Sequence, residues 1–194
     1  MKIRRFANYA VAGVLVLMSF SSSPVMAQRD HSHAAAAPAG AHQKASALVT
    51  VVRDATERFH DVAVAEKEGY SLQFGCVSGP DYGAMGMHFV NFPLVMDGEL
   101  DATRPEIVIY EPQQNGSLHL IGADYIVLAD AWDAKHESPP ELMGQLFHLF
   151  EAPNRFGLPA FYTLHVWAWK HSPTGTFVNW NANVSCDAFS GQNP

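Results

Sequence analysis

One helix-like pattern followed by a series of strand-like patterns is the feature that most restricts the fold of this chain. Over residues 44–68, apolar side chains recur at the i, i+3, i+4 and i+7 spacing of a single helical face. Gly69 is placed to end that helix. The rest of the chain has the residue pattern of β-strands separated by turns. The sequence therefore predicts an α+β fold, with one N-terminal helix packed on a curved antiparallel β-sheet or small barrel.

The strand-like segments are short and are bounded by turn residues. Asn115 and Gly116 form a strong signal for a two-residue hairpin turn. Gly122 lies inside a long strand pattern, at a position where a bulge would bend the strand. We predict strands at 85–92, 105–112, 117–130, 160–170 and 176–180, and residues 142–152 favour a strand over a helix because of Gly144 and the aromatic residues.

The first 27 residues have the pattern of a secretory signal peptide. A basic start is followed by an apolar run of 11 residues, Ala10 to Phe20, and by a small-x-small cleavage site that ends at Ala27. That run is too short to span a bilayer, which needs roughly 20 residues, and no other stretch is apolar enough. We expect a periplasmic or secreted protein without a membrane span. The Ala- and His-rich composition of residues 28–43 predicts a disordered linker. Residues 44–194 have the length of a single globular domain.

The net charge of the mature chain argues against anionic partners. Loss of the three basic residues of the signal peptide reduces Lys and Arg from 12 to 9, against 19 Asp and Glu, for a net charge of −10. Nucleic acids and anionic membrane surfaces require clustered basic side chains, so neither is an expected partner. The acidic balance is compatible with cations or with neutral small molecules. The sequence does not indicate an oligomeric state.

Cys76 and Cys186 are the two cysteines of the chain. An even pair of cysteines in an exported protein predicts a disulfide bond, and an oxidising compartment disfavours a two-thiolate metal site. Closure of a loop of this length stabilises the fold by up to about 4.7 kcal/mol in the chain-entropy description.

The segment "FYTLHVWAWK" (161–170) carries the most informative histidine. Alternation along a strand places His165, Trp167 and Trp169 on one face. Tyr162, Leu164, Val166 and Ala168 then form an aliphatic face that suits packing on the helix. The first face is aromatic with polar tips, which is typical of a ligand-binding wall.

Other strands supply residues able to complete a metal site. We hypothesise that His88, His165 and either Glu106 or Glu111 converge on a divalent metal, with His148 as an additional ligand. Two imidazoles and one carboxylate leave open coordination positions on Zn, Fe, Mn or Cu, and an open position binds water or polarises a substrate oxygen. We also assign Tyr110, Asn91, Trp167 and Trp169 to the surrounding ligand pocket.

Two other interpretations remain open from the sequence. The candidate ligands are scattered, without the local HxH or HExxH spacing of familiar metal motifs. A metal-free periplasmic protein that binds a small ligand fits the same residues, and so does a structural envelope protein whose histidines belong to the core. No G-x-S-x-G motif or phosphate-binding glycine loop is present, so the sequence assigns no catalytic residue and leaves open whether the protein is an enzyme.

Four blocks carry a resemblance to a known group of proteins. In order along residues 70–187 they are "GMHFVN", "RPEIVIYEP", "LHVWAWK" and "NWNANVSC". In these blocks the chain resembles a group of exported bacterial proteins of unknown function, whose turn and tail often read "NPSG" and "WNP.VSC". This chain departs from that pattern at residues 172–175 and 181–183. The resemblance implies export and a domain held by a disulfide, and it implies no reaction.

Overall fold

The computed structural model describes residues 39–79 and 81–191, and the predicted signal peptide and residues 28–38 of the predicted linker lie outside them. Within the described residues, six strands form one antiparallel sheet that curls into a half-barrel, and two very short strands form a separate hairpin. The α+β prediction is confirmed. In chain order, the strands are β1 (Ser71–Gly79), β2 (Gly83–Val90), β3 (Ile107–Pro112), β4 (Leu118–Leu128), β5 (Glu141–Leu142), β6 (Gln145–Leu146), β7 (His148–Phe150) and β8 (Phe161–Val166).

The large sheet has the strand order β1-β2-β3-β4-β8-β7, and β5 pairs with β6. Every neighbouring pair in the large sheet is antiparallel. Strands β1 to β4 therefore form a meander, whereas β8 returns to lie between β4 and the edge strand β7. The helical elements are α1 (Ala39–Thr56), a 3-10 turn at Glu57–His60, α2 (Val62–Lys67), α3 (Phe92–Asp97) and α4 (Ala129–Asp133).

The prediction of one uninterrupted helix over residues 44–68 is wrong. Helix α1 begins earlier, at Ala39, and ends at Thr56. After the 3-10 turn, the helical conformation is interrupted at Asp61, which has the extended backbone angles φ −92° and ψ 107°. The Asp61 side chain accepts a hydrogen bond from the backbone N–H of Ala63 and so caps α2. Asp61 therefore ends the 3-10 turn and begins α2. Phe59, within the 3-10 turn, is still fully buried, as the apolar pattern predicts.

Of the five predicted strands, four are present and one is absent. Strand β2 lies two residues earlier than predicted, and β3, β4 and β8 are shorter than predicted. Strand β1 was not predicted, because Phe74 and Gly75 both have positive φ angles and interrupt the alternation of its side chains. The predicted strand at 176–180 is wrong: this segment is a loop, and its Thr176 carbonyl accepts one hydrogen bond from the N–H of Trp167. The ambiguous segment 142–152 contains the end of the β5–β6 hairpin and the edge strand β7.

The helices cover one face of the sheet, which we call the helix face. Leu48 and Val52 of α1 are fully buried in a cluster with side chains of β4 and β8. Phe59 is buried in an adjacent cluster with side chains of β2 and β3. The predicted aliphatic face of the last strand is confirmed, because its four members all join the cluster around α1: Tyr162, Leu164, Val166 and Ala168.

A β-bulge in β4 changes which of its side chains reach the helix face. Ile109 pairs with Gly122 and Tyr110 pairs with Leu120, so Ile121 is an extra residue without a partner on β3. Leu120 and Ala123 therefore both face the helices, whereas Ile121 joins the apolar cluster on the opposite face. The predicted bend at Gly122 is confirmed as this bulge.

The disulfide between Cys76 and Cys186 is present, as predicted, and it fastens the C-terminal tail to β1. Residues Ala84 and Asn181 add a two-way backbone bridge next to it, with N···O distances of 3.2 and 3.1 Å. The tail is thereby held against the same end of the sheet as the first two strands.

We predict that Gly122→Ala lowers the free energy of unfolding by about 3 kcal/mol, the upper end of the usual cost of overpacking. The added Cβ would lie 2.5 Å from the backbone carbonyl oxygen of Val166, which cannot move without breaking the sheet. Urea denaturation followed by circular dichroism measures the effect.

The control is Gly116→Ala, which adds the same methyl group where no atom lies within 4 Å but where φ is +80°. It reports backbone strain alone, about 1 kcal/mol. Equal losses for the two variants would show that the close approach of Val166 is not the cause.

Candidate metal centre

Three buried side chains from three strands meet on the face opposite the helices, which we call the pocket face. They are His88 on β2, Asp124 on β4 and His165 on β8. In a flat sheet, β2 and β8 would lie about 14 Å apart, because they are separated by three strand spacings. The curl of the half-barrel closes this distance, and the ring nitrogens of His88 and His165 come within 3.3 Å.

The β4 bulge places Asp124 in this group. Without an extra residue, Asp124 would share the parity of Leu120, whose side chain packs among the helices. With Ile121 inserted, Asp124 instead pairs with His165 and joins it on the pocket face. A second register shift, in β2, places Met85 on the same side as His88, whereas simple strand alternation would place it on the opposite face.

The polar contacts of the three residues are short and few. His88 Nδ1 lies 3.2 Å from the carbonyl oxygen of Gly86, and His88 Nε2 lies 3.3 Å from His165 Nε2. Thr163 Oγ1 donates a hydrogen bond of 2.5 Å to Asp124 Oδ1. The same carboxylate oxygen lies 3.4 Å from His165 Nδ1, which forms no hydrogen bond of standard geometry. Burial lowers the pKa of the His165 imidazole, and the Asn179 side chain, which also interacts with that imidazole, raises the pKa by less. One ligand atom of each of the three residues lies within 4.8 Å of the others, so the group can hold a metal ion.

The tautomers available to the two histidines leave a polar conflict. The Gly86 carbonyl requires a proton on His88 Nδ1, so a neutral His88 presents a lone pair on Nε2. If His165 carries its proton on Nδ1, toward Asp124, a second lone pair faces the first across 3.3 Å. If the proton is on Nε2, the bare Nδ1 faces a carboxylate. With both imidazoles neutral and Asp124 ionised, each tautomer of His165 therefore contains a buried repulsive contact. A cation between the two Nε2 atoms removes the contact of the first tautomer.

Burial sets the charge states of the group. Only 6% of His88 and 3% each of Asp124 and His165 are exposed. Burial lowers the pKa of His88 to about 4 and that of His165 to about 3, and it raises the pKa of Asp124 to about 6. At neutral pH the site therefore contains two neutral imidazoles and one carboxylate, which is the protonation state that binds a metal.

The structure brings together two of the predicted ligands, His88 and His165, and replaces the third. Neither predicted glutamate belongs to the group. Glu106 Oε2 accepts a hydrogen bond from the N–H of Ile126, and Glu111 forms an ion pair of 2.6 Å with Lys170 at the far end of β3. Asp124 supplies the carboxylate instead.

Three other predicted residues lie away from the group. His148 is exposed on the edge strand β7, so it is not a ligand. Tyr110 points to the helix face, where its hydroxyl donates a hydrogen bond to the Phe59 carbonyl. Asn91 lies at the end of β2, and its amide donates to the Glu68 carbonyl. Tyr110 and Asn91 therefore make their polar contacts on the helical side of the fold, whereas His148 lies opposite Thr163 on the edge strand.

Trp167 lies on the same face as His165, as predicted, whereas the predicted alignment of Trp169 fails because the strand ends at Val166. The Trp167 ring lies 5.8 Å from the His165 ring, but its N–H donates to the Val178 carbonyl. The chain then turns, and the Trp169 N–H donates to Thr56 Oγ1 on α1. Neither tryptophan borders the chamber at the metal group.

Sequence reasoning did not identify Asp124, although a signal was present. Asp124 lies inside the apolar run "IGADYIVL", and a carboxylate within such a strand needs a partner. The same argument applies to Glu106, which immediately precedes β3. The missing step was the bulge, since it alone decides the face that Asp124 occupies.

A small chamber adjoins His88, Asp124 and His165, which we call the metal group because these side chains could hold a metal ion. It has a volume of about 40 Å³, enough for a water molecule, which needs roughly 10–15 Å³. Its polar lining comes from His88, Asp124, Thr163 and His165, and the remaining lining side chains are apolar. An atom placed in this chamber would therefore meet the metal group at one end and hydrocarbon elsewhere.

Compared with known proteins, the chain matches no family model, no curated protein and no solved structure. Among the described residues, none of the helices combines the length and the hydropathy needed to cross a membrane.

We predict that Glu106→Gln stabilises the protein at pH 8.5 and has little effect at pH 4.5. Burial raises the pKa of Glu106 from 4.5 to about 8, so the folded state favours the protonated carboxyl group. Wild-type stability contributed by this group is therefore present at low pH and is lost as pH rises from 4.5 past 8. Glutamine stays neutral and can keep the hydrogen bond from Ile126. We expect a gain of a few kcal/mol at the higher pH, at about 1.4 kcal/mol per pH unit.

Urea denaturation at the two pH values measures this difference. Glu99→Gln, in an exposed loop, makes the same chemical change without burial and serves as the control. A pH-independent effect of Glu106→Gln would contradict the raised pKa.

Proposed function

We propose that the protein is an exported metal-binding protein that holds one zinc ion between His88, Asp124 and His165. The observation that carries the proposal is the approach of two buried imidazole Nε2 atoms to 3.3 Å, where no tautomer of two neutral imidazoles beside an ionised Asp124 satisfies all the neighbouring polar atoms. A structural role for these histidines would instead be expected to pair their ring nitrogens, as most buried polar groups are paired.

The separation of the two nitrogens favours zinc among the transition metals. Two ligands bound at about 2.0–2.1 Å to a tetrahedral ion lie about 3.3–3.4 Å apart. Right-angled coordination, as in octahedral or square-planar sites, would bring them to roughly 2.9 Å at the same bond lengths. The 3.3 Å separation matches the tetrahedral value. His88 Nδ1 already faces a backbone carbonyl, which is a usual outer partner of a metal-binding imidazole.

Three protein ligands leave the fourth tetrahedral position open, and the adjoining chamber has room for a bound water or a substrate oxygen. At such a position zinc acts as a Lewis acid, or lowers the pKa of its water toward 7. The disulfide between Cys76 and Cys186 is suited to an oxidising compartment, which supports the proposed export to the periplasm or medium.

We expect wild-type protein, purified without an affinity tag, to retain about one zinc per chain after dialysis, as measured by plasma mass spectrometry. His88→Gln, His165→Gln and Asp124→Asn should each lower the zinc affinity at least tenfold, because each removes one ligand without changing the side chain's size greatly. Zinc titration against a chromophoric chelator gives the affinities.

The matched control is His119→Gln, which alters an exposed histidine on β4 opposite Glu111. The histidines of the N-terminal segment are common to all variants, so their weak binding cancels in the comparison. Full zinc affinity in His88→Gln and His165→Gln would refute the proposed site.

We also predict that zinc raises the melting temperature of the metal-stripped protein. A ligand that binds only the folded state at 100 times its Kd contributes about 2.7 kcal/mol, and a domain of this size gains roughly 2–4 °C per kcal/mol. The expected rise is therefore about 5–10 °C in a scan by differential scanning calorimetry. Magnesium at the same concentration is the control, and an equal rise with magnesium would argue against an imidazole site.

A further inference from the structure

The chamber at the metal group lies beside a larger apolar chamber. We call them the inner chamber and the outer chamber. The outer chamber has a volume of about 170 Å³. It reaches the surface at Phe92 and Met96, whose side chains are 48% and 70% exposed. The two chambers share five lining residues, which are Phe74, Val90, Ile107, Ile126 and Leu158.

The lining of the two chambers changes from apolar to polar with depth. All ten residues that line the outer chamber are apolar. In the inner chamber, the four polar side chains are the metal group and Thr163. A molecule that fills both chambers therefore needs a hydrocarbon body and a single polar end, which has to be the end that enters first.

Four phenylalanine side chains line the inner chamber, and one of them, Phe74, also lines the outer chamber. The rings of Phe150 and Phe161 stack with their centroids 5.1 Å apart, and Phe74 meets Phe156 edge-on at 5.4 Å. Phe74 has a φ of +62°, which is costly for a bulky side chain, and it lines both chambers. Ring edges and faces offer an aromatic guest the offset and T-shaped contacts that aromatic pairs prefer.

The volumes limit the size of the guest. An apolar cavity of about 150 Å³ accommodates a benzene molecule, so the outer chamber fits one aromatic ring. The inner chamber, at about 40 Å³, fits a substituent of one or two heavy atoms beside the ion. Longer chains would extend past Met96 into solvent.

We propose that the zinc site binds a small aromatic molecule with one oxygen substituent, of the size of phenol. The ring occupies the outer chamber and the oxygen takes the open coordination position in the inner chamber. This inference rests on the proposed zinc site and adds the chemical class of its ligand.

Phenol and toluene test the proposal, because they have nearly the same shape and differ in the oxygen. Their affinities are measured by ligand-observed NMR with zinc-loaded and zinc-stripped wild-type protein. We expect zinc-loaded protein to bind phenol at least tenfold more tightly than toluene, and removal of zinc to abolish that preference. Val95→Trp, which fills the outer chamber from α3, should weaken both ligands at least tenfold while zinc is retained.

Leu149→Trp is the control, since this exposed residue of β7 lines neither chamber and should leave both affinities unchanged. Zinc content is measured on the same samples. Protein that lacks zinc disproves the proposed function, whereas zinc-loaded protein with no preference for phenol overturns only the ligand assignment. Phenol binding that is unaffected by Val95→Trp would also overturn it.

Discussion

In β4, Ile121 is an extra residue between Leu120 and Gly122, and this one insertion decides which side of the sheet receives a carboxylate. Leu120, before the bulge, lies on the helix face, and Asp124, after the bulge, lies on the pocket face beside His165. Gly122 makes the arrangement feasible, because the carbonyl of Val166 approaches so closely that no β-carbon fits. The metal group therefore depends on a backbone feature as much as on its own side chains.

Burial of His88, Asp124 and His165 without a metal ion costs free energy. Two imidazoles and a carboxylate are withdrawn from water, and His165 Nδ1 receives no hydrogen bond in return. Apolar side chains of similar volume would stabilise such a position at least as well. The surrounding side chains Met85, Ile107 and Phe161 show that hydrocarbon is what this face otherwise contains. A bound cation changes the balance, because it uses the lone pairs that burial leaves without partners.

The sequence predicted those parts of the fold that follow from regular alternation, and it failed where the backbone interrupts that alternation. Within β8 the pattern is regular, so the faces of Leu164 and His165 were predictable. The alternation ends with the strand at Val166, and Trp169 consequently lies on the helix side. Bulges are set by a few backbone angles and by pairing with a partner strand, neither of which residue periodicity encodes. For that reason the carboxylate was assigned to Glu106 or Glu111 rather than to Asp124.

The three proposed ligands lie on strands β2, β4 and β8, separated by 36 and 41 residues along the chain. An unfolded chain cannot present them together, so an ion held there would bind only the folded sheet and would stabilise it by mass action. Phe74, Phe156 and Phe161 line the adjoining chamber and would separate such an ion from bulk water. Electrostatic interactions strengthen as the local dielectric falls, and an oxygen ligand in the inner chamber would be polarised more strongly than one on a surface ion. The curl of the half-barrel thus assembles the ligands and also creates the apolar surroundings in which a metal acts most strongly.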